Sequence, residues 1–197
     1  MKTVRLFAPL LLALALAQSL DAQDRRPASP RGEASTQIGG MEGPWIVVDY
    51  GRPIVRGRDV FGSGDEYGQG ISAGGVWRVG ANKSTRLMTE ADLMFGDQRL
   101  PAGEYSVFAE LAETEWTLIL SSWGAKDSGR QDTPDALWGS YGYTTDRDVL
   151  RTAMSVTTSE MSTDQMVILF TDMTAEGGMF TIWWDDQLAS TPFSLAK

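Results

Sequence analysis

Alternation of apolar and polar residues is the feature that most constrains the fold of this chain. Segments 105–110, 116–121 and 180–185 each place large apolar side chains at every second position. A period of two is that of a β-strand with one buried face. Beyond the N-terminal region, no segment sustains the i, i+3, i+4, i+7 apolar spacing of an amphipathic helix. Only the stretch 159–165 offers a weak helix candidate.

Turn signals and propensity divide the rest of the chain into further strands. Segment 45–50 is β-branched and aromatic, and segment 166–170 is continuously apolar, as expected of a central strand covered on both faces. The final segment 190–195 contains Pro192, which favours an edge strand. Short strands are expected at 76–79, 85–89, 93–95 and 99–100. The sequence therefore predicts an all-β fold: a single antiparallel β-sandwich or flattened barrel of about eight to ten strands, with long glycine-rich loops and little helix.

The N-terminus has the pattern of a secretory signal peptide. Lys2 and Arg5 precede an apolar run over 6–16, and small residues follow it. That run is shorter than the about 20 residues needed to span a bilayer, so cleavage is favoured over an uncleaved anchor. We expect a signal peptide at 1–22, an extended arm at 23–43 and a single β domain at 44–197. The mature protein is then periplasmic or extracellular, with no membrane span after cleavage.

Charge and composition exclude several classes of function. With 17 basic and 26 acidic residues the net charge is −9, which disfavours binding to nucleic acid or to anionic lipid. The chain has no histidine and no cysteine, so histidine-dependent triads, thiolate nucleophiles and His or Cys metal sites are excluded. No catalytic residue, no metal ligand set and no cofactor is predicted.

A cluster of arginines and aromatics in segment 50–82 is the candidate site. Its members are Tyr50, Arg52, Arg58, Trp77, Arg78 and Asn82. In one interpretation these residues bind a carboxylate or phosphate ligand, because the flat guanidinium matches such groups and the aromatic rings supply apolar walls. In the other, the arginines pair with carboxylates of Asp49, Asp59, Asp65 or Glu66 and brace a loop that lacks regular backbone hydrogen bonds.

Two pairs of acidic residues form a further candidate site. Asp146 and Asp148 are two residues apart, and Asp185-Asp186 adjoin two tryptophans. Two carboxyl groups across a sugar are what a glycosidase needs, and Asp146 with Asp148 also suits calcium. The polar loop 122–147 contains four aromatics, Trp123, Trp138, Tyr141 and Tyr143, which we expect to pack onto the body of the domain.

Several sequence blocks resemble one family. The matching blocks, in chain order, are 28–31, 37–39, 49–53, 55–58, 61–62, 76–82, 100–106, 115–117, 138–139 and 148–151. In this order they are similar to bacterial exported proteins grouped as domain of unknown function 2911. The resemblance implies an exported, mostly β domain without an established activity or assigned catalytic residues. Segments 63–75 and 122–137 depart from the family pattern.

Together these observations predict an exported, non-enzymatic β domain that serves as a structural or interaction module of the cell envelope. The alternative is a module that binds a small anionic or sugar-like ligand through the arginine and tryptophan region. The second alternative is a carboxylate-dependent glycan hydrolase. The expected partners are a small anionic or carbohydrate ligand or an envelope protein.

Overall fold

The computed structural model describes residues 29–72 and 75–197. The predicted signal peptide (1–22) and the first part of the predicted arm (23–28) lie outside the described residues. The strands are β1 (Arg31–Gln37), β2 (Trp45–Gly51), β3 (Thr85–Thr89), β4 (Leu93–Phe95), β5 (Gln98–Leu100), β6 (Gly103–Glu110), β7 (Glu115–Ser121), β8 (Gly124–Ala125), β9 (Ala136–Leu137), β10 (Asp148–Thr171) and β11 (Gly177–Leu195). Short 3-10 turns occupy Gly64–Glu66 and Thr145–Arg147.

One antiparallel sheet dominates the described part of the chain. It has nine strands in the order β1-β2-β3-β6-β7-β10-β11-β4-β5, while β8 and β9 form a small parallel pair. The described residues contain no α-helix. The predicted all-β antiparallel fold is therefore confirmed. Within the segment predicted as an arm, β1 pairs with β2 along its whole length, from Arg31 opposite Gly51 to Gln37 opposite Trp45.

The sheet curls so that strands distant in its order meet. Three strands separate β2 from β10, yet the Tyr50 hydroxyl accepts a hydrogen bond from the Ile168 N–H at 3.1 Å. The Arg52 guanidinium donates to the Met166 carbonyl at 3.2 Å, and the Val55 N–H donates to the Asp164 carbonyl at 2.7 Å. The two halves of the curled sheet thereby enclose the main core.

Three local expectations differ from the structure. The helix candidate at 159–165 is wrong, because this stretch is the middle of β10 and pairs across register shifts with β11, Thr163 opposite Asp185. Segment 76–79 contributes only an isolated bridge, Trp77 to Ala109. Pro192 lies in β11, which is an interior strand between β10 and β4. It is tolerated because the ladder with β10 ends at Ser190 and the ladder with β4 begins at Ser194.

A cluster of buried aromatic rings fills the centre of the core. Trp77 stacks on Trp184 with ring centroids 5.7 Å apart, and Trp116 meets Trp77 edge to face at 5.7 Å. Phe61 belongs to the long loop after β2, and its ring centroid lies within 6.4 Å of the centroids of all three indoles. Tyr67 stacks on Phe61 and accepts a hydrogen bond from the Trp116 indole at 3.1 Å. The loop is thus attached to the sheet by its own aromatic side chains.

The loop between β7 and β10 covers the outer face of the sheet. Trp123 and Tyr143 pack against buried Phe108 and Ile119, as expected for the aromatics of this loop. The Tyr143 hydroxyl donates to the Asp148 carboxylate at 2.7 Å, and Arg151 binds the same carboxylate at 2.8 Å. Tyr141, by contrast, is 63% exposed.

Replacing Phe61 with alanine is expected to lower the free energy of unfolding by about 3–5 kcal/mol, because it removes a buried ring from the aromatic cluster and leaves a cavity. Urea unfolding measures the change. Tyr141→Ala, at an exposed ring, serves as the matched control and should stay within about 0.5 kcal/mol of the wild type. Equal losses in the two variants would contradict the proposed attachment of the loop.

A second prediction concerns alkaline pH. Burial and the neighbouring Asp148 carboxylate raise the pKa of Tyr143 above its ordinary value. The folded protein therefore holds this proton after the unfolded chain has released it near pH 10, so the free energy of unfolding falls as the pH rises above about 10. Tyr143→Phe should cost about 1 kcal/mol at pH 8, from the lost hydrogen bond, and should lose less stability than the wild type between pH 8 and pH 11. Parallel pH profiles from urea unfolding would refute this.

Candidate functional site

A cleft of about 460 Å³ opens beside the aromatic cluster. Its wall carries three arginines, Arg56, Arg58 and Arg78, and we call it the arginine cleft. The other polar and aromatic side chains that line it include Gln69, Asn82, Tyr141, Trp77 and Trp184. Trp77 and Trp184 are 1% and 2% exposed, so they reach the cleft only at its inner edge.

Arg58 is positioned by the chain that leaves β2. Residues 53–55 pair with β10, where the Met166 N–H donates to the Pro53 carbonyl at 3.0 Å. The backbone then turns at Arg56, which has a φ of 54°. The Arg58 guanidinium folds back and donates to the carbonyls of Val55 and Ile54, at 2.9 and 2.8 Å. These two bonds fix the orientation of its planar group.

Arg78 is positioned by a strained turn between Trp77 and β3. Val79 has a φ of 46°, which is unfavourable for a β-branched residue, and Asn82 has a φ of 64°. The Thr85 hydroxyl donates to the Val79 carbonyl at 2.6 Å and holds the turn. The turn packs tightly on the end of β2, because a Cβ atom at Gly51 would lie 2.0 Å from the Ala81 carbonyl oxygen. Glycine is therefore required at position 51.

The side chain of Arg78 lies against the loop that precedes β10. Its Nη1 donates to the Asn82 carbonyl at 3.0 Å, and its Cζ is 5.9 Å from the centroid of the Tyr141 ring. On the other side, a Cβ atom at Gly139 would lie 2.6 Å from the Arg78 Nη1. The Ser84 hydroxyl donates to the Gly139 carbonyl at 2.7 Å, which ties this loop to the turn that carries Arg78.

No acidic side chain is found among the described residues that line the cleft. Arg52, Arg58 and Arg78 form no ion pair with a described carboxylate. Two of the expected carboxylate partners are engaged elsewhere: Asp49 binds Arg31, and Asp59 accepts the Gly62 N–H. Backbone carbonyls, rather than carboxylates, hold the arginines, and the positive charge of Arg58 and Arg78 is not neutralised by an ion pair.

The structure brings four of the six sequence-predicted site residues together: Arg58, Trp77, Arg78 and Asn82 line the cleft. Tyr50 and Arg52 do not line it and fasten β2 to β10 instead. Sequence reasoning did not include Arg56, Gln69, Tyr141 or Trp184 in the site. Arg56 had a signal in its Arg-Gly-Arg motif, whereas the others come from loops or strands that only the folded chain brings near.

The candidate acidic pairs lie outside the cleft. Asp148 binds Tyr143 and Arg151, and Asp185 accepts the Ser162 hydroxyl at 2.6 Å. Thr163, which is paired with Asp185, lies 15 positions after Asp148 in β10 (163 − 148), so the two acidic pairs are well separated along that strand.

Within residues 29–72 and 75–197, no group of three or more His, Cys, Asp or Glu side chains is arranged to hold a metal ion. That part of the chain also contains no helix with the length and apolarity to cross a bilayer.

Comparison with known proteins identifies the family. A family model described as a protein of unknown function (DUF2911) matches residues 29–193. The chain belongs to this family. The matched range of the DUF2911 domain includes every strand of the main sheet except the end of β11, and it includes all three arginines of the cleft. No curated protein and no solved structure gives a significant match. The family description names no activity.

Arg58 and Arg78, two of the three arginines of the cleft, should differ in their effect on stability. Arg58→Gln removes two hydrogen bonds to partly buried carbonyls and is expected to lower the free energy of unfolding by about 1–2 kcal/mol. Arg78→Gln removes one exposed bond and should cost less than about 1 kcal/mol. Chemical denaturation of both variants makes the comparison, with Arg130→Gln in the exposed loop as a control for the lost charge. A larger loss for Arg78→Gln than for Arg58→Gln would contradict the assigned roles.

Proposed function

We propose that this DUF2911 domain binds a small organic anion in the arginine cleft. The observation that carries the proposal is the concentration of three arginines, without a lining carboxylate, on a chain whose net charge is −9. Such a local reversal of charge attracts anions to one place on a surface that otherwise repels them.

The guanidinium groups retain the donors that recognition requires. An arginine has five N–H donors. In bonds to described residues, Arg58 uses two of them (5 − 2 = 3 remain) and Arg78 uses one (5 − 1 = 4 remain). Both groups are held by carbonyl oxygens before any ligand arrives, which lowers the entropy lost on binding. A carboxylate or phosphate group suits these planar donors.

Size and backbone geometry support the same function. A cleft of about 460 Å³ is within the range of pockets that hold small molecules, about 300–1,000 Å³. Of the five described non-glycine residues with a positive φ angle, three lie at or beside the cleft: Arg56, Val79 and Asn82. Unfavourable backbone conformations of this kind cost of order 1–3 kcal/mol each and concentrate at ligand-binding sites.

The proposal includes export of the protein. The predicted signal peptide at 1–22 delivers the domain to the periplasm or the cell exterior. The ligand is then a molecule met outside the cytoplasm, and the domain acts as a binding module there.

Anion binding is tested by calorimetry and thermal unfolding with citrate, galacturonate and inorganic phosphate as probes. A probe that binds should stabilise the folded protein by about 2.7 kcal/mol when present at one hundred times its Kd. Arg78→Gln should lose most of this stabilisation, whereas Arg130→Gln, which removes the same charge outside the cleft, should keep it. Added salt should weaken binding, since the attraction is electrostatic.

A glycine pair gives an independent check. Gly139→Ala places a Cβ atom against the Arg78 guanidinium and should weaken binding of the same probe. Gly142→Ala, also at positive φ but with only an ordinary 3.8 Å contact to the Leu137 side chain, should not. Failure of every probe to bind the wild type, or equal binding by Arg78→Gln and the wild type, would refute the proposed function.

A further inference from the structure

We infer that the anion is an acidic sugar, a pyranose carrying a carboxylate, whose ring lies on Tyr141 and whose carboxylate meets the arginines. This inference rests on the proposed function and specifies the chemical class of the ligand. Three features of the cleft carry it: an exposed aromatic ring, a cation over that ring, and amide groups around the rim.

The exposed ring is Tyr141. It is 63% exposed although it lines a cleft, so most of its surface makes no contact with the described protein. The backbone that carries the ring is held in place, because the Tyr141 N–H donates to the Trp138 carbonyl at 3.3 Å and the Ser84 hydroxyl donates to the nearby Gly139 carbonyl. A flat, exposed ring on a fixed backbone favours a ligand that has one apolar face. The C–H face of a pyranose is such a face.

The cation is Arg78, whose Cζ lies over the Tyr141 ring, 5.9 Å from its centroid. A ligand that lies on the exposed part of the ring brings groups at its own edge within reach of the guanidinium. A carboxylate attached directly to a sugar ring is in that position. The Arg78 fork then binds the carboxylate while Tyr141 contacts the ring that bears it.

The rim carries carboxamides that suit hydroxyl groups. Among the described residues, the Asn82 side chain has no hydrogen-bond partner, and the Gln69 amide nitrogen donates only to the Asp65 carbonyl. An amide both donates and accepts, which matches a hydroxyl better than it matches an anion. Because Trp77 and Trp184 are nearly fully buried, they offer little apolar area to a second face of the ligand. An aromatic acid therefore gains little binding energy from its second apolar face. A compact anion leaves Tyr141 and both amides without a contact.

The test compares four probes by calorimetry: galacturonate, galactose as the same ring without its carboxylate, benzoate as a carboxylate on an aromatic ring, and citrate as a compact anion. Galacturonate is expected to bind most tightly, with galactose weaker by about a hundredfold because it lacks the charge-assisted contacts. Tyr141→Ala should weaken galacturonate by about tenfold and leave citrate within about twofold, as expected for loss of a ring contact alone. Tyr141→Phe should retain galacturonate binding, since the ring face and not the hydroxyl makes the contact.

The outcomes separate the two proposals. If citrate or benzoate binds in an Arg78-dependent way and galacturonate does not, the acidic sugar is wrong and anion binding stands. If galacturonate binds equally to Tyr141→Ala and to the wild type, the ring contact is wrong and the inference fails with it. If galactose binds as tightly as galacturonate, or if no probe binds, both the inference and the proposed function fail.

Discussion

The packing of Phe61 against the three buried indoles is the interaction on which the rest of the structure depends. Trp77, Trp116 and Trp184 come from three separate parts of the chain and form one aromatic core. Phe61 adds the loop after β2 to that core. Since this loop has few regular backbone bonds to the sheet, ring packing is what fixes its position. The arginine cleft forms because Trp77 and the segment around Phe61 are both held in the aromatic core. Arg78 follows Trp77 directly in the chain, and Arg58 lies in the segment that Phe61 anchors.

The cleft differs from the rest of the protein in the sign of its charge. The chain is acidic overall, yet the acidic side chains that form ion pairs do so away from the cleft, for example Asp49 with Arg31 and Glu104 with Arg86. Within the described lining, the formal charges are all positive. A site of this kind raises the local concentration of anions without making the whole protein attractive to nucleic acid or to anionic membranes. The same charge separation would make the proposed binding sensitive to salt.

Strands could be predicted from the sequence where local residue patterns determine them, whereas the arrangement of the candidate site could not. Alternation predicts β6 and β7, and the short strands predicted at 93–95 and 99–100 form the hairpin of β4 and β5. Both faces of β6 are buried, however, because the loop after β7 covers Phe108 from outside, and no local pattern shows this. Arg58 and Arg78 could be named from residue type. Their partners could not, because a backbone carbonyl has no sequence signature, and the approach of Tyr141 to Arg78 depends on a tertiary contact between distant loops.

The choice of partner decides between the two roles first considered for the arginines. A carboxylate would hold a guanidinium in place and also neutralise it, so a braced arginine would be lost to recognition. A carbonyl oxygen fixes the orientation through one or two hydrogen bonds and leaves the net charge and the remaining donors in place. Arg58 is held in this second way, and so is Arg78. Bracing and binding are therefore compatible in the same side chains, and the bonds that stabilise the loop also orient the groups that face the cleft.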